Sequence, residues 1–314
     1  MDGRADGQRA GAAQEAGRDL LAERFEAHRG HLRAVAHRML GSLADADDAV
    51  QETWLRLSRT GDDGIENLAG WLRTVVSRLC LDMLRSAAFR HEEAVGDRLP
   101  DGTGDAGARA ADPEEEALLA ESVGRALLVV LDRLGPDERV AFVLHDLFAV
   151  PFADIAPIVE RTPVTTKKLA SRARHKVQGP PAPTAPGLAH HRHVVDAFLT
   201  ASRNGDLEAL LAVLAPDVVR RADLGALSGG RAAEIRGARA VAEETVLLRR
   251  NARVAEPALI NGAPGLLVAP RGRLLLALVI TVEGDRVASY EVIADESRLR
   301  ELDLSLLPQG PADH

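Results

Sequence analysis

The residues of this chain able to do chemistry are unevenly spread, and the densest group lies at residues 161–178. All three lysines of the protein, Lys167, Lys168 and Lys176, fall there beside Arg161, Arg172 and Arg174, with no acid among them. Unopposed cations at this density suit phosphate. If four to six of them each neutralise one phosphate, the log–log salt slope of binding is about −4 to −5. A stretch of opposite sign comes earlier, because Asp97–Glu121 holds eight acids against only Arg98 and Arg109. The net charge of −8 therefore hides a polarised chain, the pattern expected of a nucleic-acid reader with an acidic tether. On charge alone, a solvated basic helix face would look the same.

Two other groups stand out on helical spacing. Asp48, Gln51, Glu52 and Leu55 recur at i, i+3, i+4 and i+7, opposite a predicted core stripe of Ala46, Val50, Trp54 and Leu57. An acidic and amide strip with one exposed leucine is compatible with solvent, and equally with a basic partner helix carrying an apolar notch. Along residues 68–88, Trp71, Val75, Leu79 and Met83, flanked by Leu72, Val76 and Cys80, form a predicted apolar stripe. Arg73, Ser77, Arg78, Asp82 and Arg85 lie outside it, and the arginines could contact phosphates or simply face water.

Catalytic and metal chemistry is poorly provided for. The single cysteine, Cys80, excludes a disulfide framework or a cysteine-based zinc site, and within an apolar stripe it reads as a small buried hydrophobe. His190, His191 and His193 lack carboxylates at ligand spacing. No histidine follows until His314, so a general base in the last third would have to be Asp223, Glu234 or Glu291. None of these has an evident partner to shift its pKa, and the only tyrosine, Tyr290, reads as a packing residue. No catalytic residue, metal or cofactor is assigned.

The elements that position these groups follow from composition and pattern. A chain of 314 residues, 46% hydrophobic, has room for two or three domains, with aliphatic rather than aromatic packing. The longest apolar run, Leu274–Val282, has strand length, and the first residues lack the apolar core of a secretory signal. A soluble, cytoplasmic protein with no membrane contact is expected. Residues 1–18, aperiodic and rich in Gly, Ala and charge, read as a disordered tail, and 19–91 as a helical domain. Residues 92–111, with Gly96, Pro100, Gly102, Gly104 and Gly107, read as a flexible acidic linker.

Asp112-Pro113 followed by three glutamates is a helix start, and helical patterning continues over 112–178. Within it Phe152, Ile155, Ala156 and Val159 line one short helix, and Glu160-Arg161 makes a tight connection. Thr162 caps a last helix that buries Val164, Leu169 and Ala173 and presents Thr165, Lys167, Lys168, Ser171, Arg172 and Arg174. This is a helix-turn-helix pattern. Residues 179–189, with four prolines, form a stiff spacer. From 190 to 304 come helical patterns at His191–Arg203 and Asp206–Leu214, then strands near Arg253–Ile260, Gly265–Val268, Leu274–Val282 and Arg286–Ile293. The expected fold class is two all-α domains followed by one α+β domain.

Two motifs, in this order, carry a resemblance. DADDAVQETWLRL with GWLRTVVSRLCLDMLRS resembles region 2 of the extracytoplasmic-function sigma factors of bacterial RNA polymerase. PDERVAFVLHDLFAVPFADIAPIVERTPVTTKKLASRARHKV resembles their region 4. The module from His191 to about Leu302 resembles the SnoaL-like cone that one subgroup carries. The resemblance implies that Asp48, Gln51, Glu52 and Leu55 bind the β′ clamp helices of core polymerase. It places Arg73, Arg78 and Arg85 at the −10 promoter element, with the loop Gly61–Asn67 receiving a flipped base. Thr165, Lys167, Lys168, Ser171, Arg172 and Arg174 fall at the −35 element.

It further implies that the C-terminal domain regulates the sigma core within the chain, without a separate anti-sigma protein. Two promoter elements two helical turns apart are roughly 70 Å distant, and twenty linker residues span at most about 66–72 Å. A stand-alone helix-turn-helix regulator with a small-molecule sensing domain is the alternative, and an enzyme fused to a DNA-binding module is a third. The chain departs from the subgroup at four places. Asp97-Arg98-Leu99-Pro100-Asp101 stands for a Trp-Leu-Pro-Glu-Pro motif, and Asp223–Arg231 for an Asp-Gly-Gly-Gly element. Ala294-Asp295-Glu296-Ser297 stands for a terminal Asn-Pro-Asp-Lys motif, and Thr166-Lys167 for a common Val-Arg pair, a change expected to alter promoter preference.

Overall fold

The computed structural model describes residues 3–62, 64–96, 124–179, 186–227 and 232–307. Helix α1 runs Gly3–Leu40, through the residues expected to form a disordered tail. Alanine, arginine, glutamine and glutamate favour helix even where no apolar period marks it. Helix α2 (Leu43–Thr60) is capped by Ser42, whose Oγ accepts from Asp45 N–H at 3.2 Å. Helix α3 spans Leu68–Gly96, five residues beyond the expected boundary. The rest of the acidic linker, the helix start at Asp112-Pro113 and residues 180–185 of the proline-rich spacer lie outside the described residues.

The described chain divides into two units, one built from residues 3–96 and 135–171, the other from 124–134 and 172–307. The segment expected to be one helical domain over 112–178 thus contributes to both.

In the first unit, α1–α3 bury Phe25, Leu32, Val35, Met39, Val50, Leu57, Leu72, Val76 and Cys80. Burial pushes the Cys80 thiol up to about 12, as befits a packed hydrophobe. Two predicted stripes shift. Trp54 is only half-buried, against Phe25 at 5.2 Å between ring centroids, and Ala49 and Thr53 take the inner positions. On α3 the inner line is Leu68, Leu72, Val76 and Cys80, while Trp71, Val75, Leu79 and Met83 flank it at intermediate exposure. Ser77, expected outside, is fully buried. A wide apolar stripe has no unique centre until its neighbours are in place, which is why the sequence period misplaced it by one residue.

The same unit holds α5 (Pro136–Phe142), a π-helical turn at Val143–Leu147, α6 (Phe152–Ile155) and the start of α7 (Pro163–Gln178). Glu160 adopts φ +56°, the sharp connection expected there, and Thr162 Oγ1 accepts from Thr165 N–H at 3.2 Å as the cap of α7. The inner face of α7 is Thr166, Ala170, Ala173 and Val177. Val164, expected inside, is 67% exposed, because it sits in the first turn, off that line.

The second unit contains α4 (Arg125–Asp132) and the α+β domain. Helices α8 (Pro186–Asn204) and α9 (Leu207–Val213) precede strand β1 (Leu214–Ala222), β2 (Glu234–Arg236), α10 (Ala238–Leu247) and α11 (Arg249–Arg253). Strands β3 (Ala255–Ile260), β4 (Ala263–Val268), β5 (Leu276–Glu283) and β6 (Arg286–Ile293), helix α12 (Glu296–Glu301) and strand β7 (Leu304–Ser305) complete it. Among the described residues these strands form one seven-stranded sheet, in the order β2-β1-β6-β5-β4-β3-β7. Only β1 and β6 pair in parallel. Phe198, Leu210, Leu214, Val218, Val241, Leu266 and Ile280 form the core between helices and sheet, the arrangement expected of a SnoaL-like cone.

His37 on α1 is 5% exposed. Burial, reinforced by the cations Arg38 and Arg33 against the opposing Asp47, pushes its imidazole from 6.5 down to about 4. The unfolded chain binds that proton at the ordinary value. Stability is therefore retained above about 6.5 and lost as pH falls through 4. His37→Leu is expected to flatten this limb of the stability curve, measured by urea unfolding across that window.

Candidate nucleic-acid interface

Helix α7 is capped, and its outward face carries no acid. Lys167, Lys168, Ser171 and Arg172 are exposed, and the three cations among them make no ion pair among the described residues. Thr165 is half-buried, its hydroxyl 2.9 Å from that of Thr162, and Arg174 is half-buried and engaged. Thr166 is fully buried and its hydroxyl donates to the Thr162 carbonyl at 3.0 Å, so its side chain cannot reach a base. Of the pair expected to alter promoter preference, only Lys167 is available. Val164, missed as a surface residue, exposes an apolar side chain at the start of the same helix.

The three arginines of α3 are in a different state, since all are held by the helix-turn-helix segment. Arg85 donates from Nε and Nη2 to Asp137 at 3.3 and 2.9 Å, and its Nη1 lies 3.9 Å from Glu160. Arg73 pairs with Asp154 at 3.8 Å, and Arg78 donates to the Pro157 carbonyl at 3.1 Å. Arg161 also approaches Asp137, at 3.3 Å. Apolar contact accompanies the charges: Phe148 sits edge-on to His31 at 5.3 Å and under the Arg38 guanidinium at 5.1 Å.

On α2, Asp48, Gln51 and Leu55 are exposed and Glu52 is half-exposed, paired with Arg56 at 3.1 Å. The four stand on one face, away from the core. In the loop that follows, Gly64 has φ +86°, and Asp62 is tied to Arg24 of α1. Asn67 Oδ1 accepts from Gly70 N–H at 2.9 Å and so caps α3.

In the α+β domain the candidate bases are occupied structurally. The Asp223 carboxylate accepts from the backbone N–H groups of Ala226, Ala294 and Asp295 at 3.0–3.1 Å, with Arg298 3.6 Å away. The two motifs that depart from the subgroup are thereby clasped to each other. Gly225 lies in that clasp, where an added Cβ would come within 2.6–2.9 Å of the backbone of Ala294 and Asp295. Glu291 pairs with Arg298 at 3.0 Å. Glu234 accepts from Arg236 and Arg221, which hold its carboxyl below the usual range. His190 contacts the Gly284 carbonyl at 2.7 Å and Asp285 at 3.2 Å. No cluster of three metal-ligating side chains occurs among the described residues.

Sequence reasoning missed the buried ion pair of this domain. Arg220 on β1 and Glu244 on α10 meet through two hydrogen bonds, with side chains 4% and 15% exposed, and Arg220 also donates to the Ala232 carbonyl at 2.8 Å. Its signal was faint: Val218 and Arg220 alternate inward on a strand whose polar ends disguise it.

Helix α4 is fastened to the α+β domain by Arg125 at its start and by Arg133, its C-cap. Arg125 pairs with Glu256 at 3.2 Å, and Arg133 donates to the carbonyls of Arg300 and Leu299 at 2.8 and 2.6 Å.

No helix among the described residues is long and apolar enough to cross a membrane. Residues 24–90 match Sigma-70 region 2, and residues 124–177 match Sigma-70, region 4. The chain is 35% identical to the probable ECF RNA polymerase sigma factor SigI of Mycobacterium tuberculosis over 286 residues, 90% of this chain and 95% of that relative. It is 47% identical to the ECF RNA polymerase sigma factor SigJ of the same species over 201 residues, 63% of this chain and 64% of SigJ, a match that spans just under two thirds of that relative.

The crystal structure of the Mycobacterium tuberculosis SigJ covers 88% of this chain and 98% of its own, at 33% identity and a TM-score of 0.41. The sigma factor RpoE of Bartonella quintana, solved in complex with the anti-sigma factor NepR, covers 49% of this chain and 91% of its own, at 21% identity and a TM-score of 0.34. The expectation that this chain has no separate anti-sigma partner finds no support. With both sigma regions in order and SigI matched over nearly its whole length, the chain belongs to the ECF RNA polymerase sigma factors.

Proposed function

We propose that this chain is a promoter-specificity subunit acting in the cytoplasm. It binds core RNA polymerase through Asp48, Gln51, Glu52 and Leu55, and promoter DNA through α7 and α3. The observation that carries the reading is the contrast between the two cationic helices. Lys167, Lys168 and Arg172 on the outer face of α7 make no ion pair among the described residues, whereas Arg73, Arg78 and Arg85 of α3 are engaged by the segment that leads into α7. Duplex DNA can therefore engage Lys167, Lys168, Ser171 and Arg172 at once. The −10 contacts of α3 become available when Asp137, Asp154 and Glu160 are drawn away.

The α+β domain acts in this reading as a regulator without catalysis, for its candidate bases are committed to structural hydrogen bonds and ion pairs. Its grip on α4, the first helix of region 4, gives it a direct mechanical hold on the −35 reader.

Core polymerase mixed with the full chain should yield promoter-dependent run-off transcripts. Glu52→Arg combined with Leu55→Arg should abolish both transcripts and co-purification with the polymerase, with helicity unchanged. Undiminished co-purification would contradict the assignment of the strip. Arg133→Ala removes two hydrogen bonds between the C-cap of α4 and α12 and should move transcript yield in the same direction as ending the chain near Pro186. If the truncation alters yield and Arg133→Ala does not, the α4 contact is not the route of control.

A further inference from the structure

The α+β domain contains a cavity of about 270 Å³, just under the lower end of the ~300–1,000 Å³ usual for small-molecule sites. Its walls are mainly apolar: Phe198, Leu199, Leu266, Leu276, Leu278 and Val292. Leu275 lines it while remaining 52% exposed, so it can be reached from solvent. Neither the sigma regions nor the contacts of α4 account for this space.

The polar groups in the cavity define what it accepts. Arg220 and Glu244 both line it, but they neutralise each other through two hydrogen bonds. An anion would have to compete with Glu244 for the guanidinium, and a cation with Arg220 for the carboxylate. A bound charge left unpaired in such a place is costly. Ser202 donates to the Phe198 carbonyl at 2.6 Å, so its proton is taken. Thr245 donates to the Val241 carbonyl at 2.8 Å, so in its 3.2 Å contact with Tyr290 it is Tyr290 that donates. The phenolic oxygen of Tyr290 keeps its lone pairs, and burial keeps the phenol neutral by pushing it up to about 12. The side-chain amide of Asn251 lines the same space with no hydrogen-bond partner among the described residues. The polar end of the cavity thus offers acceptors at Tyr290 and both a donor and an acceptor at Asn251.

We propose that this cavity binds a small uncharged molecule with an aliphatic body and a single neutral hydrogen-bonding head, of the amide or alcohol class. The head is taken by Asn251 and Tyr290, and the body lies against the leucines and Val292. The Arg220–Glu244 pair acts as a charge filter: internally satisfied, it leaves an ion of either sign without a free counter-charge.

The proposal is tested on the full chain, without polymerase or DNA, by calorimetry and thermal melting. The probes are octanamide, octanoate and octylamine, which share a body and differ in head charge. Octanamide is expected to bind and raise the melting temperature, with octanoate and octylamine weaker by about tenfold or more. Asn251→Leu should weaken octanamide by about tenfold while the fold, checked by circular dichroism, is kept. Ala222→Leu, which narrows the cavity, should reduce binding of octanamide independently. Failure of octanamide to bind at its solubility limit overturns the proposal, as does equal binding of all three heads, or octanamide binding untouched by both substitutions.

Discussion

A guanidinium offers five N–H donors in one plane, and Arg85 directs two of them at a single carboxylate, Asp137. That interaction sets the condition on which the sigma core depends. Arg73, Arg78 and Arg85, the arginines proposed for the −10 element, are all held by the helix-turn-helix segment. Partly exposed ion pairs are worth only about 0.2–1 kcal/mol each, so Arg85, Arg73 and the carbonyl contact of Arg78 cannot by themselves fix the two segments together. They set the register, while apolar contact through Phe148 supplies area. An equilibrium of that size is within reach of what phosphates or a polymerase surface can supply, so the proposed release of α3 needs no large driving force.

The same logic distinguishes the two cationic helices. Helix α7 was legible from sequence because its cations have no acids among them, and Lys167, Lys168, Ser171 and Arg172 stand exposed on it. The positions of Arg73, Arg78 and Arg85 were legible too, but their partners were not. Asp137, Asp154 and Glu160 lie 52 to 81 positions away in sequence, and no local period reports a pairing over that distance. Thr166 and Val164 show the opposite error. One turn of helix decides which of two neighbours faces in, and the cap at Thr162 turns Thr166 inward and Val164 out.

In the α+β domain the strands from Arg253 to Ile293 were readable, because each is a short stretch rich in aliphatic residues set off by Asn-Gly, Arg-Gly or Gly-Asp turn signals. Strand β1, strand β2 and helices α10 and α11 were not. Their segments mix Arg, Asp and Glu with aliphatics, and their inward positions include Arg220 and the half-buried Glu244, which satisfy each other instead of packing as hydrophobes. A buried ion pair of this kind erases the periodic signal of both elements that carry it. It also marks the place where the domain departs from a plain packed core, since the cavity opens beside it.

The central claim is that region 2 and the helix-turn-helix segment hold each other in the free protein and part on the promoter. Fluorescence energy transfer between dyes at Ala27→Cys and Ala153→Cys measures this directly, because buried Cys80, its thiol pushed up to about 12, will not label. The account predicts efficient transfer in the free chain and its collapse in the polymerase–promoter complex, where the two elements stand roughly 70 Å apart. Transfer that is already low in the free chain, or unchanged on the promoter, would contradict it.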